Sequence, residues 1–162
     1  MNEFDVLLTR EEIAFIYDIA EKRQKNKEQG GIEDKKYDSN YSSFDMNLYG
    51  AAGEFAFCKW EGSKFDDEIH NKRGGWDTID HLGRRVDVKH SRTDYLLAPN
   101  HKKLGACDIY VLVKGDFPMF RIVGWCEEEE LLCEENLKDL FKKGKLGYCL
   151  YVDNLRRMWS NV

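Results

Sequence analysis

The sequence predicts an α/β protein, because helical and strand patterns both recur along its 162 residues. Thr9-Arg10-Glu11-Glu12 is a capping box, and the apolar residues after it keep helical spacing until the chain approaches Gly30-Gly31. Arg84 to Ser91 alternates like a half-buried strand. Cys107 to Lys114 is a nearly continuous apolar run, which is typical of a central strand covered on both faces.

A second helix is predicted over Met46 to Trp60. The stretch before it, from Gly30 to about Asp45, has no periodicity and predicts a long mobile loop able to act as a flap over a cleft. Glu54 is the only charge between Leu48 and Cys58. Because a carboxylate buried without a partner is costly, we expect Glu54 to meet a cation, a donor or a cleft. A purely structural ion pair is the alternative.

A hairpin is predicted where Trp76 to Asp80 and Arg84 to Ser91 flank the Gly-containing link His81-Leu82-Gly83. Side chains alternate along a strand, so Asp87 and Lys89 are expected to share one face of the second strand. The hairpin therefore presents a carboxylate and an ammonium side by side.

The rest of the chain predicts strands and helices in alternation. Met119 to Trp125 is a further strand. A helix is predicted from the acidic run Glu127 to Glu130 through Phe141, because negative charge suits the positive end of a helix dipole. Gly147 to Val152 predicts a last strand, and Leu155 to Trp159 a short closing helix.

The length fits one domain, and no repeat or linker marks a second. We expect a single domain over residues 1–162, divided into an N-terminal helical extension with its loop (1–45), a core (46–125) and a C-terminal helix, strand and helix (126–162). No apolar stretch reaches the roughly 20 residues of a membrane helix, and the first residues lack the features of a signal peptide. We therefore expect no membrane partner and a cytoplasmic location, which is the host cytoplasm if a phage encodes the protein.

Cysteine usage and charge restrict the chemistry further. The five cysteines include no C-x-x-C pair, so we expect them to be reduced and mostly buried. The net charge of −5 argues against binding to nucleic acid through overall charge. Between Lys72 and Lys103, however, eight Lys and Arg face four Asp, which gives a local +4. A solvated basic hairpin and a phosphate-binding surface explain this excess equally well.

The chemistry-bearing residues are Asp77 and the tripeptide Asp87-Val88-Lys89. Mg²⁺ prefers oxygen ligands in octahedral geometry, so Asp77, Asp87 and the carbonyl of Val88 would form a partial cage. Such a cation lowers the pKa of a bound water and offsets charge on a phosphate, and Lys89 would position that water or help to deprotonate it. This arrangement suits phosphodiester hydrolysis.

With these residues the chain resembles the PD-(D/E)xK nucleases, whose motif order is a helix Glu, a strand Asp and then (D/E)-x-K. The matching residues are Gly53-Glu54, Trp76-Asp77 and Asp87-Val88-Lys89. The CDIYVLV run at Cys107 to Val113 also looks like the stretch that follows this motif in small phage-borne members. The resemblance covers roughly Met46 to Trp125.

The resemblance implies a restriction-endonuclease-like α/β core around a mixed sheet, flanked by helices, and an endodeoxyribonuclease that needs Mg²⁺, with Mn²⁺ as substitute. It implies Glu54, Asp77 and Asp87 as metal ligands and Lys89 as the cation beside the water. It also makes a homodimer one of the assemblies to expect, since many such nucleases cut both strands as dimers. The connection Arg92 to Ala106 is short for the usual crossover helix, which affects the strand order.

Contacts to DNA are expected from basic and polar residues near the motif. Phosphate contacts position a duplex without reading its sequence. The candidates are Lys72, Arg73, Arg84, Arg85, Ser91, Arg92, Lys102 and Lys103, with His90 behind the ligands.

Two alternatives stay open at the level of sequence. One is a non-catalytic protein that uses a nuclease fold to bind nucleic acid or protein, which the acidic overall charge supports. The other is a metal hydrolase based on His81, His90 or His101, which would bind transition metals.

Overall fold

A computed structural model describes residues 1–30, 42–69 and 75–160 as a mixed α/β structure with two sheets. The larger sheet has the strand order β1-β6-β5-β3-β2, and the smaller has the order β4-β8-β7. In chain order the elements are β1 (Asp5–Leu7), α1 (Arg10–Gly30), α2 (Ser43–Glu61), β2 (Thr78–Ile79), β3 (Arg85–Ser91), β4 (Tyr95–Pro99), β5 (Ile109–Asp116), β6 (Met119–Glu127), α3 (Glu128–Leu131), β7 (Leu137–Lys138) and β8 (Gly147–Tyr151).

The capping signals place the two long helices. The Thr9 amide donates to Glu12 Oε2 at 2.8 Å and the Glu12 amide donates to Thr9 Oγ1 at 3.1 Å, so the predicted capping box forms. The second helix begins earlier than predicted, because Ser42 Oγ accepts from the Asp45 amide and caps it at 3.0 Å. The sequence therefore predicted the end of the loop, at about Asp45, too late in the chain. Residues 31–41 of this predicted loop lie outside the described residues.

The larger sheet is mixed, as predicted. The β2–β3 hairpin is antiparallel, with Thr78 opposite Val86, and Gly83 supplies the positive φ of +78° in its turn. Strand β3 then pairs in parallel with β5, and β5 pairs antiparallel with β6. Because β2 is so short, the edge of β3 beyond Val86 is not covered by it.

Strand β5 is covered on both faces, as its apolar run predicts. Val111 and its alternate neighbours pack into a core with α1 and α2, while Tyr110 and Leu112 pack into a second core with β4 and α3. The sheet thus lies between a helical layer and a layer made by the smaller sheet. Asp87 lies beside Tyr110 in the pairing and so belongs to the second side.

The connection between β3 and β5 contains a strand instead of a helix. Strand β4 pairs antiparallel with β8, and its Leu96 and Ala98 are fully buried. The burial of its residues alternates, but in the sequence the apolar run Leu96-Leu97-Ala98 is too short to be assigned as a strand. The crossover to the parallel strand therefore passes through the smaller sheet, which explains why residues 92–106 suffice.

The helix predicted from Glu127 to Phe141 is wrong. Only Glu128–Leu131 is helical, followed by a 3-10 turn and the short β7. The reason is that buried Glu128 accepts from the amides of Gly105 at 2.6 Å and Cys107 at 3.0 Å. One of the acidic residues thus anchors a loop, where the sequence suggested only a favourable helix dipole.

The closing helix predicted at Leu155 to Trp159 is also wrong. Arg156 instead forms an isolated antiparallel bridge with Trp125, exchanging backbone hydrogen bonds of 2.8 and 3.0 Å. Gly124 allows this approach, because a Cβ there would lie 2.9 Å from the Arg156 carbonyl oxygen. Main-chain pairing to β6 therefore replaces the helix.

All five cysteines are unpaired and four of them are buried, as predicted. Burial raises the pKa of the Cys58 thiol to about 11 and that of Cys107 to about 12, so both stay protonated at neutral pH. Within residues 1–30, 42–69 and 75–160, no helix has both the length and the apolar character needed to cross a membrane.

The packing of α2 on the sheet makes a prediction for stability. Changing the fully buried Phe57 to Ala is expected to lower the free energy of unfolding by about 3–5 kcal/mol, because it leaves a cavity in the core. Changing Leu104, whose residue is 62% exposed, to Ala should shift it by less than about 0.5 kcal/mol. Urea denaturation measures both, and equal effects would contradict this core assignment.

Candidate functional site

A cleft of about 340 Å³ opens along the uncovered edge of β3. Helix α2 forms one wall and β4 forms the other. The lining residues are Met46, Tyr49, Gly50, Glu54, Asp77, Val88, Lys89, His90, Ser91, Arg92, Thr93, Tyr95, Leu97, Pro99 and Phe141. Three of the four residues predicted to carry the chemistry therefore face one cavity.

Glu54 is brought to the cleft by the glycine that precedes it. A Cβ on Gly53 would lie 3.3 Å from His90 Cβ, so the absence of a side chain lets α2 pack closely against β3. The Glu54 carboxylate accepts from the guanidinium of Arg23 at 3.0 and 3.3 Å. Glu54 thus meets both a cation and a cleft, as expected of a charge in an apolar helix.

Arg23 is a site residue that the sequence prediction missed. It lies on α1 and also donates to the carbonyl of Asp66 at 3.3 Å, which ties α1 to the segment that follows α2. Its position was readable, because Arg23 continues the buried stripe of Ile16 and Ala20 at helical spacing. A cation on the buried face of a helix is a signal that a carboxylate faces it.

Asp77 is held against the edge of β3 by the main chain. Its Oδ2 accepts from the Val88 amide at 2.7 Å, and its own amide donates to the Val86 carbonyl at 2.7 Å. In an antiparallel ladder the N–H and C=O of one residue point to the same neighbour, so the Val88 carbonyl faces this edge as well. The proposed oxygen donors of Asp77 and Val88 are therefore neighbours.

Asp87 lies deeper and carries two lysines. Its residue is 2% exposed, its Oδ2 accepts from Lys102 Nζ at 2.9 Å, and Lys89 Nζ lies 2.8 Å from Oδ1. Apart from this ion pair with Lys89, Oδ1 is a buried oxygen without a hydrogen-bond partner among the described residues. Such an oxygen keeps lone pairs that a cation can use.

The electrostatics of the cleft perturb two of these groups. Burial raises the pKa of Asp77 well above 3.8, and the nearby carboxylates of Glu54 and Asp87 raise it further. Burial opposes the charge of Lys89, but Asp87 and Asp77 outweigh it and leave the pKa of Lys89 above its ordinary value. Lys89 is therefore an ammonium at neutral pH, which suits positioning an anion or a water and not removing a proton.

The residues present fit a hard divalent cation by chemistry. Asp87 offers an oxygen without a hydrogen bond, Asp77 carries a raised pKa typical of crowded carboxylates, and Glu54 adds charge nearby. Their present spacing is not that of a formed ligand cage, since no group of three His, Cys, Asp or Glu among the described residues could hold a metal. Binding would need the carboxylates to move closer together.

The predicted DNA contacts are distributed unevenly. Ser91 and Arg92 line the cleft, where the Arg92 guanidinium lies 4.5 Å from the centre of the Tyr49 ring. Arg84 pairs with Asp80 and stacks on Trp125 and Trp159, and Arg85 pairs with Asp108. Lys103 is exposed and Lys102 is buried at Asp87, while Lys72 and Arg73 lie outside the described residues.

The three histidines of the alternative metal site have separate surroundings. His81 Nδ1 pairs with Glu61 Oε1 at 2.6 Å, and His90 Nε2 lies 2.8 Å from the Gly115 carbonyl oxygen. His101 is on the exposed turn after β4. A site built from these three side chains has no support in the geometry of the described residues.

The raised pKa of Asp77 makes a prediction for stability against pH. A carboxyl whose folded pKa exceeds its unfolded value of 3.8 binds more protons when folded, so its contribution to stability falls as the pH rises above 3.8. Asp77→Asn removes this loss. Without divalent metal, the midpoint of thermal unfolding of the variant relative to that of the parent should rise as the pH increases above 3.8. A difference that is constant with pH would contradict the shift.

The comparisons with known proteins do not indicate a function for this chain. No family model matches this chain, and a search of curated proteins gives no match. The function is therefore inferred from Glu54, Asp77, Asp87 and Lys89 and their surroundings.

Proposed function

We propose that this chain is a divalent-metal-dependent nuclease of the PD-(D/E)xK class, which hydrolyses phosphodiester bonds within DNA. One observation carries the proposal. Glu54, Asp77 and Lys89 come from a helix and the two arms of a hairpin, yet all line one cleft, with Asp87 paired to Lys89 just behind it. Their order along the chain is that of the nuclease motif.

The surrounding elements support a restriction-endonuclease-like core as part of the same proposal. The hairpin β2–β3 is antiparallel, β3 continues in parallel to the central strand β5, and α2 packs across β3 beside the motif. Placing the two carboxylates and the lysine on adjoining strand edges fixes their relative positions, because strand backbones are rigid compared with loops. A preorganised site of this kind is what phosphoryl transfer needs.

The carboxylates of Asp77 and Asp87 and the carbonyl of Val88 are the donors that would hold Mg²⁺ or Mn²⁺, with Glu54 as a further ligand. A cation there supplies Lewis-acid stabilisation of phosphate charge and a water of lowered pKa. Lys89, protonated at neutral pH, would hold the attacking water or a phosphate oxygen in place beside Asp87. Ser91 and Arg92 at the cleft would bind the neighbouring phosphates.

One observation favours a second candidate, a non-catalytic binding module. The carboxylates of Glu54 and Asp87 already have Arg23, Lys89 and Lys102 as cationic partners, so the cluster of three carboxylates is matched by three cations. A protein that never bound metal would be stable with this arrangement. Activity measurements separate the two candidates.

The decisive assay is cleavage of supercoiled plasmid, linear duplex, single-stranded and branched DNA and RNA with Mg²⁺ or Mn²⁺. We expect cleavage of a DNA substrate, its loss with EDTA, and a decrease of at least about a hundredfold in Lys89→Ala, as is usual when a positioned catalytic group is removed. Exposed Lys25→Ala is the matched control for loss of one lysine charge. Folded protein that cleaves none of these substrates would contradict the nuclease and favour the binding module.

A further inference from the structure

Lys102, the cation at Asp87 Oδ2, is a residue beside the site that the nuclease motif does not explain. Lys102 Nζ lies 2.9 Å from this oxygen, and the Lys102 side chain is only 8% exposed. Lys102 follows β4 on the connection to β5 and belongs to no motif in the sequence. Neither Lys102 nor Asp87 lines the cleft itself, but Asp87 contacts the lining residue Lys89.

The contacts of Asp87 with two lysines oppose its proposed role as a metal ligand. A metal ligand must offer its oxygens to the cation, yet one oxygen of Asp87 is engaged by Lys102 and the other lies against Lys89. Two lysines beside one carboxylate already exceed its charge. Adding a divalent cation places like charges within a few ångströms of each other, which is strongly unfavourable in a poorly hydrated site.

One of the cationic side chains must therefore leave its carboxylate when a metal binds. The way in which each side chain is held indicates which one leaves. Lys89 lies on β3, which is paired with β5 along its length, and Arg23 holds Glu54 through two contacts and Asp66 through a third. Lys102 lies on a connecting turn, held through its amide to the Pro99 carbonyl at 3.1 Å. A side chain on a turn can change its direction without disturbing the sheet.

We propose that Lys102 is a built-in counter-ion that occupies Oδ2 of Asp87 and competes with the divalent cation for the Asp87 carboxylate. The inference rests on the proposed nuclease function and adds a positioning residue to that site. In the metal-free protein Lys102 compensates the buried charge of Asp87, which would otherwise destabilise the second core. When the cation binds Asp87, Lys102 leaves Oδ2 and its ammonium becomes available to a phosphate of the substrate.

The test is the affinity of the metal-free protein for Mn²⁺, measured by titration calorimetry without DNA. Lys102→Gln removes the charge but keeps a donor for Asp87, and is expected to bind Mn²⁺ at least about tenfold more tightly, because a cationic neighbour changes a carboxylate's affinity for a competing cation by one or more orders of magnitude. Lys102→Arg keeps the charge and should bind like the parent. Lys25→Gln, at an exposed position on α1, should also leave the affinity unchanged.

A double variant locates the effect. In Asp87→Asn/Lys102→Gln the gain should vanish, since the group for which Lys102 competes is no longer a charged carboxylate. If Lys102→Gln does not fold, Lys102→Met repeats the experiment with a side chain of similar length.

The outcomes distinguish the inference from the function beneath it. If the parent binds Mn²⁺ and Lys102→Gln binds it equally or more weakly, the role of Lys102 is overturned and the nuclease proposal stands. Binding by neither protein overturns both the metal site and the competition. A tighter Lys102→Gln whose gain survives Asp87→Asn shows competition elsewhere and overturns the assignment to Asp87.

Discussion

The burial of negative charge along the edge of β3 is the constraint on which the rest of this structure depends. Asp87 is 2% exposed, and burial together with the neighbouring carboxylates of Glu54 and Asp87 raises the pKa of Asp77. Each of three distant segments therefore supplies a cation: α1 through Arg23, β3 through Lys89, and the connection after β4 through Lys102. The layers on both sides of the sheet are tied to one electrostatic cluster.

The basic middle of this acidic chain is partly committed to contacts inside the protein. Several of its cations are used within the protein, since Arg84 pairs with Asp80, Arg85 with Asp108 and Lys102 with Asp87. These cations thus compensate buried or part-buried carboxylates of the protein itself. A substrate phosphate would meet few uncommitted charges in the cleft, so a divalent cation would contribute much of its attraction.

The sequence predicted the parts of the site that depend on local periodicity. Alternation placed Asp87 and Lys89 on one strand face, and isolation in an apolar helix singled out Glu54. The partners could not be predicted in the same way, because Lys102 reaches Asp87 through a turn whose path depends on β4 pairing with β8. Arg23 carried a weaker signal in its helical spacing. Long-range pairing, not local pattern, decided these contacts.

The errors in the fold have the same origin. The acidic run after Glu127 has the composition of a helix start, but Glu128 is used to bind the amides of Gly105 and Cys107, and the helix ends at Leu131. The closing segment pairs with Trp125 through its main chain because Gly124 leaves room for it. In both places a tertiary contact overrides local propensity, as expected where a short segment packs against a completed sheet.

We propose that the carboxylates at the edge of β3 form a cation site. The most direct measurement is anomalous diffraction from crystals grown with Mn²⁺. We expect an anomalous peak bonded to oxygens of Asp77 and Asp87 at about 2.0–2.2 Å, in the range of hard octahedral cations, with Lys102 Nζ withdrawn from Asp87 Oδ2. An ordered cleft at saturating Mn²⁺ with no peak there, and with Lys102 still 2.9 Å from Asp87, would contradict it.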